Sequence, residues 1–514
     1  SWKVNDRTTL NYGLRWEPYF PQQVTNGAIY NFSLDGFEAG QRTTQFSNAP
    51  PGFTYPGDPG FPNGFAGMNK RWNNVAPRVG VAWDPKGDGK MSLRSSYGIG
   101  YDFVNGQYHL NTAIAPPWGS DVRIQSPVGG FDNPFLGYPG GNPFPLPFDS
   151  NAGQAAPPNA RFSPGANYLA IDPDIHPTTV QSFNASLQRQ IGSSWVATAS
   201  YIGAYTTHLW NMQALNYGLT SVTSAILNGV PVTCVPSAAN FGTCMNSILQ
   251  QRRVLSQIDP VNGALIANLD AHDDSGWERY NGMLLSFERR GSRLSYTANY
   301  TLSKCTGLPS QQLPNVQSGW TDPTNPSFDE GACDLDRRHV GNITASYLTP
   351  TLTSKAAVLL SDWRVSGLLR AQSGSTLNVV SGQDRALTGI LGTNQRATVV
   401  VDNGYGDTSS LTNYLSPAAF AQPAFGTLGN YVRNSLYGPS RWQIDMVLAR
   451  VLRMTRTQSV ELRLEAFNVT NNFIRANSGA AQLAPVNNLS SATFGQILSA
   501  GDPRILQFGV KYAF

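Results

Sequence analysis

The residues able to do chemistry are few. Five histidines in 514 residues leave little material for an imidazole-based acid, base or metal site. The sequence carries no Gly-x-Ser-x-Gly elbow, no phosphate-binding loop, no His-Glu-x-x-His pair and no Gly-x-Gly-x-x-Gly opening a helix. No catalytic constellation is therefore expected, and neither a cofactor nor a metal; the chain reads as a non-enzyme. Three groupings remain. The run Asp270-Ala-His-Asp-Asp-Ser275 offers carboxylate oxygens that could hold Ca²⁺. It lacks EF-hand spacing and a turn glycine, so a solvated polar loop is the plainer reading. Asp334, Asp336, Arg337, Arg338 and His339 form a charge cluster. It could gather an anionic ligand, or it could be a salt-bridged strand start. Cys234, Cys244, Cys305 and Cys333 fall as two close pairs without Cys-x-x-Cys spacing, which argues against zinc or thioredoxin chemistry. They are either two disulfides or four thiols.

The elements that must position these groups are strands. Only 13% of residues are charged and 40% are hydrophobic, with 50 Gly, 35 Pro and 11% aromatics. Ordinary soluble domains carry about 25% charged residues. The net charge of +4 is too small to imply nucleic acid as a partner. No apolar run reaches the roughly 18 residues of a membrane-spanning helix. The dominant pattern has a period of two. Leu10, Tyr12, Leu14 and Trp16 alternate with Asn11, Gly13, Arg15 and Glu17. Val460, Leu462 and Leu464 alternate with Glu461, Arg463 and Glu465. The chain ends with Phe508, Val510, Tyr512 and Phe514 on one face. The pattern predicts about twelve strands. They lie near residues 5–17, 76–84, 90–103, 177–190, 194–205, 278–290, 293–303, 338–349, 360–371, 441–453, 458–470 and 504–514. The strand at 194–205 has the poorest alternation, because Val196 and Ile202 interrupt it.

The links alternate between short and long. Residues 85–89, 191–193, 291–292, 350–359 and 455–458 are short links; 20–75, 104–176, 206–277, 304–337, 372–440 and 471–503 are long. Loops beyond about 15 residues are uncommon in compact domains, yet here they recur at every second connection. A sandwich or propeller does not account for that. An all-β, antiparallel up-and-down transmembrane β-barrel does, with short periplasmic turns and long extracellular loops. In lipid every backbone group must be bonded internally, so the apolar face meets lipid and the polar face a lumen. Arg15, Glu17, Arg78, Asp84, Arg94, Asp102, Asp445, Glu461, Arg463 and Glu465 are then candidate lumen-facing charges. Trp16, Trp83, Tyr101, Trp363 and Trp442 suit interfacial girdles. Both cysteine pairs fall in extracellular loops, where oxidation is permitted. The stiff stretches Gly52–Pro62 and Asn133–Phe148 could stack their rings on a sugar or peptide, or pack on themselves.

Several stretches resemble one family in the order they occur. They are Thr178–Gln190, Tyr280–Arg290 with Ser295–Lys304, Asp336–His339, Trp363–Ser373, and Ser440–Asp445 through Glu461–Asn468 to Asp502–Phe514. Together they resemble the C-terminal strands of Oar-like TonB-dependent outer-membrane receptors. The aromatic C-terminus, with Phe508, Val510, Tyr512 and Phe514, resembles the signal read by the barrel assembly machinery. The resemblance implies a barrel of about 22 strands in the cell outer membrane, with a plug in its lumen and a segment touching TonB. About twelve strands and no plug are found, so residues 1–514 are expected to be a single β-barrel domain, the C-terminal part of a larger receptor; the alternative is a reduced barrel that closes on itself. An even number places both ends on the periplasmic side. The expected partners are outer-membrane lipid, the assembly machinery, the TonB system through the missing part, and an extracellular ligand of unknown identity. The implied function is energy-coupled passage of a large ligand such as an oligosaccharide, peptide or chelate. The alternatives are a surface interaction or adhesion barrel and a passive porin.

Overall fold

A computed structural model describes residues 1–102, 106–119, 124, 127–138, 140–142, 144, 146, 148–149, 154–227, 229–308, 319–351, 360–390, 395–455, 457–476 and 485–514. Thirteen strands follow one another in one antiparallel sheet. They are β1 (Trp2–Asn5), β2 (Thr8–Trp16), β3 (Val75–Trp83), β4 (Met91–Tyr101), β5 (Thr179–Ile191), β6 (Trp195–Ala214) and β7 (Ile266–Arg290). Then come β8 (Leu294–Leu308), β9 (His339–Leu348), β10 (Trp363–Gln372), β11 (Arg441–Arg453), β12 (Ser459–Phe467) and β13 (Ile505–Ala513). Every expected strand falls on an observed one. The difference in number comes from the first. Residues 5–17 are not one strand: the chain turns at Asp6-Arg7, where the Arg7 amide donates to Asn5 Oδ1 at 2.9 Å. Asn and Asp favour such turns through their own backbone bonds.

The stretch with the poorest alternation became one of the longest strands. β6 pairs with β5 on one side and β7 on the other, so cross-strand bonds supply what its pattern lacks. A tilted strand spans the hydrocarbon with about 9–11 residues. β6 has 20 and β7 has 25. We take residues 278–290 of β7 as its spanning part; residues 266–277 continue beyond it with Thr207–Ala214 of β6. There β7 also pairs in parallel with Ala166–Ala170. Asp270–Ser275 is thus strand, not loop. The short link at 350–359 lies mostly outside the described residues.

Register makes the two faces explicit. Gln188, Thr198, Ser286, Asn299, Asn342, Arg370 and Gln443 are directly paired across seven strands, β5 to β11. The row beside them reads Leu187, Ala199, Leu285, Tyr300, Gly341, Ala371 and Trp442. A pleated strand puts neighbouring residues on opposite sides, so one face is polar and the other apolar along the whole row. The apolar face is not a protein core: Tyr12 is 70% exposed and Phe508 77%. It carries the five girdle candidates. Trp16, Tyr101 and Trp442 lie where their strands meet long links, and Trp83 and Trp363 at the opposite end. Arg289 over Trp195 at 5.0 Å and Arg450 over Trp363 at 5.5 Å join that second belt. The sheet is open. Among the described residues, β1 and β13 each have one neighbour and do not pair with one another.

Burial is concentrated instead in the long links, and the sequence did not announce this. Tyr30, Phe37, Phe53, Tyr55, Trp118, Phe162 and Tyr168 form one cluster with Leu255, Ile266 and Leu269. Leu377, Val379, Tyr414, Leu415, Phe420, Tyr431, Phe494 and Ile497 form a second. Of the two readings of Gly52–Pro62 the structure supports packing: Phe53 and Tyr55 are buried, against Trp118, Phe162 and Tyr168 of the link at 104–176. Asn133–Phe148 lies partly outside the described residues, and within it Phe135 touches Tyr138 and Phe144.

This layer contains a pH-sensitive pair. His272, in the non-spanning part of β7, is held at a pKa of about 3 by burial and by nearby His109. Burial also lowers His109. His272 is neutral when folded, while in the unfolded chain it takes a proton below about pH 6.5. The unfolded state then binds more protons, so stability of the layer falls as pH drops through that value. At pH 5 one such group costs about 2 kcal/mol relative to pH 7. Hydrogen exchange in residues 266–273, corrected for intrinsic rate, should accelerate between pH 7 and 5. His272→Phe should flatten that dependence.

Candidate functional site

The polar face of the sheet carries most of the charges that the alternation singled out. Several of its charges sit close to charges of opposite sign. Arg463 Nε lies 3.5 Å from Glu461 and Nη1 3.3 Å from Glu465, three alternate residues of β12 on one face. Arg370 on β10 lies 3.5 Å from Asp445 on β11. Arg15 Nε lies 2.6 Å from Glu17, just beyond the end of β2. Arg78 and Arg94 share this face, opposite Gly98 and Ser186. Asp102 follows β4, its amide donating to Thr178 at 2.9 Å. Asp84 departs from expectation. It lies beyond β3 and accepts the amides of Lys86, Gly87 and Gly89 at 3.2, 2.9 and 2.8 Å. It caps a tight turn, because a short carboxylate two to five residues before free amides is better satisfied there than on the sheet.

At the long-link end of this face lies a cavity of about 540 Å³, lined by Glu278, Tyr280, Thr301, Ser303, Asp334 and Arg337 among others. Cys305 and Cys333 border it and are bonded to each other, as are Cys234 and Cys244 in another link. The bond ties the top of β8 to the segment before β9. Asp334 accepts from Arg433 Nη2 at 2.6 Å and Asn434 Nδ2 at 2.8 Å. Asp336 is buried and accepts the Cys305 amide at 2.7 Å. Burial and the neighbouring Arg441 lower the proton affinity of Arg337, with Asp336 acting the other way. Arg338 Nη1 donates to the Ser303 carbonyl at 3.3 Å.

The five-residue charge cluster is split. Asp334, Asp336 and Arg337 reach the cavity. His339 pairs with Leu302, on the apolar face, and its Nδ1 lies 2.7 Å from Tyr300 Oη. One step along a strand changes the face, so the first residue of β9 points away from the link before it. Glu278 and Tyr280 were legible as alternate residues of a strand, but nothing marked them as cavity lining. Arg433 and Asn434 come from a link 99 and 100 residues away from Asp334, and no local signal points to them. In Asp270–Ser275 the carboxylates separate. Asp273 accepts from Trp320 Nε1 at 2.7 Å, and Asp274 faces His176 and His208. The calcium reading of that run finds no common centre.

A model of the outer membrane beta barrel domain matches residues 1–507. The chain belongs to this family. It is a protein of the cell outer membrane. Among curated proteins nothing matches it. Among solved structures it is similar to the outer membrane transporter YddB from Escherichia coli, with 11% identity, a TM-score of 0.43, and coverage of 86% of this chain and 41% of that one. It is similar to the ferric-catecholate import receptor Fiu from E. coli K12, with 10% identity, a TM-score of 0.37, and coverage of 99% and 42%. It is likewise similar to the siderophore receptor PirA from Acinetobacter baumannii, with 10% identity, a TM-score of 0.38, and coverage of 87% and 41%. The chain spans about two fifths of the length of these three proteins.

Proposed function

We propose that this outer-membrane barrel chain serves energy-coupled passage of a ligand too large for a simple porin, in the manner of a TonB-dependent receptor of the Oar-like kind. The observation that carries the reading is the arrangement at one end of the sheet. Long links fold into a layer with its own apolar clusters, and at its base a charged cavity opens on the polar face. A porin needs an open mouth; a receptor needs a shaped one. The polar face is read as the lumen, the long links as extracellular, and Arg15, Arg78, Arg94, Asp445, Glu461, Arg463 and Glu465 as lumen charges. TonB would act on a plug distinct from these strands. In lipid the open edges of β1 and β13 need partners, which we read as further strands of the same barrel. Phe508, Val510, Tyr512 and Phe514, all strongly exposed on one face, are read as the strand presented to the assembly machinery.

Growth of the producing bacterium on a ferric chelate, a peptide or an oligosaccharide as sole iron, nitrogen or carbon source tests this. Deleting the gene and deleting TonB should each abolish growth on the same one of these. Loss on deleting the gene but not TonB would make the protein a passive pore. Loss on neither would leave a surface interaction protein.

A further inference from the structure

We propose that His176, His208 and Asp274 form a binding site for one divalent transition-metal ion of the zinc type, at the base of the loop layer. This inference is independent of the transport reading. The three residues come from three segments: the approach to β5, β6 and β7. One ligand atom from each lies within 4.8 Å of the other two. His176 Nδ1 is 2.9 Å and His208 Nδ1 3.2 Å from Asp274 Oδ2. Zinc bonds of about 2.0–2.2 Å to imidazole nitrogen and carboxylate oxygen set tetrahedral donor–donor edges of about 3.3–3.6 Å. The two histidine–carboxylate separations are a few tenths of an ångström shorter, so a small opening about Asp274 admits an ion. Two imidazoles and one carboxylate also fit the preference of zinc over calcium or magnesium, which favour all-oxygen sites.

The backbone is shaped to bring these side chains together. Asp273 pairs with Asn211 and Gly276 with Leu209, so β7 carries one extra residue in the Asp274-Ser275 stretch. Gly276 pairs with Leu209 and Glu278 with Thr206, so β6 carries one extra residue in the Thr207-His208 stretch. Two opposed bulges within a few residues restore the register, and each holds one member of the triad. Bulges re-aim side chains at functional sites. His208 has a φ of +55°, a conformation that costs a non-glycine residue energy and concentrates where geometry serves function. His176 is fixed from behind. Its amide donates to Asp274 Oδ2 at 2.8 Å, and its carbonyl accepts from Trp210 Nε1 at 2.7 Å. The Thr178 hydroxyl holds the His208 carbonyl at 2.8 Å. The imidazole rings lie 4.7 Å apart. The side chains of His176 and His208 are 47% and 40% exposed, which leaves an entry path and an open coordination position.

Titration calorimetry of the chelator-treated full chain in detergent, with ZnCl₂ as probe, tests the site. Wild type should take up one equivalent, and CaCl₂ should give no comparable binding. His208→Gly suits the positive φ and keeps the bulge, and Asp274→Asn keeps the shape. Each should weaken zinc binding at least about tenfold. The His176→Ala/His208→Gly double variant should abolish it, with circular dichroism confirming the fold. With Co²⁺ as probe, wild type should show a visible absorption band that the double variant lacks. Wild type binding no zinc, variants binding as wild type does, or calcium binding equally well would each overturn the proposal.

Discussion

Leu448→Arg should destabilise the membrane-inserted sheet by about 2–4 kcal/mol, while Val447→Arg, one residue earlier, should be close to neutral. Leu448 lies within the apolar band, between the belt at Trp442 and the belt at Trp363 and Arg450. Its row runs Tyr347, Val365, Leu448, Leu464 and Phe508 across β9 to β13. An arginine there puts a guanidinium at mid-bilayer, where it must drag water inward or deform the strand. Val447 is on the polar face, directly opposite Glu465. A new arginine there gains a carboxylate neighbour and water. Leu452, just before the link at 454–458, is on the apolar face near the second aromatic belt. There the cost should fall to about 0–1 kcal/mol. Urea unfolding of the three variants in lipid vesicles gives the comparison. Equal costs at 447 and 448 would mean that the faces are wrongly assigned, and equal costs at 448 and 452 that the depth is.

Asp329→Ala should loosen the second loop cluster by about 3–5 kcal/mol. Arg396 is buried at 2% exposure, with its guanidinium held by the Asp329 carboxylate and the Phe328 carbonyl. Its Nε donates to the Tyr431 carbonyl at 2.8 Å, and its plane lies over the Phe328 ring at 4.0 Å. Asp329 also accepts the Thr321 amide at 2.7 Å. Removing the carboxylate strands a cation where water cannot reach it, and that penalty exceeds the net worth of the pair. Replacing both charges, as in Asp329→Leu/Arg396→Met, should therefore cost less than the two single changes summed. Hydrogen exchange in residues 319–333 and 395–399 reads this directly. Additive costs would show that the pair is a surface-like contact worth little.

How much of this was legible depended on the range of the interaction. Strand positions were, because alternation is imposed on each strand by its own two environments and needs no distant partner. Gln188 beside Leu187 announces both faces locally, and the first strand failed only where Asp6-Arg7 hid a turn. The order of short and long links was legible for the same reason, and with it the fold class and the outer membrane. The links themselves were not. For Phe53 and Tyr55 display and packing were both open, and only contact with Trp118, Phe162 and Tyr168, all far away in sequence, made them core. Arg396 with Asp329, and Arg433 with Asp334, are pairings across links, and composition carries no trace of them. The histidines show the division most sharply. A count of five argued against any imidazole site, and the sequence could say no more. Only the tertiary structure places three such groups together, because two compensating bulges in neighbouring strands bring His208 and Asp274 to His176, and register between strands is a property of the sheet that no single strand encodes.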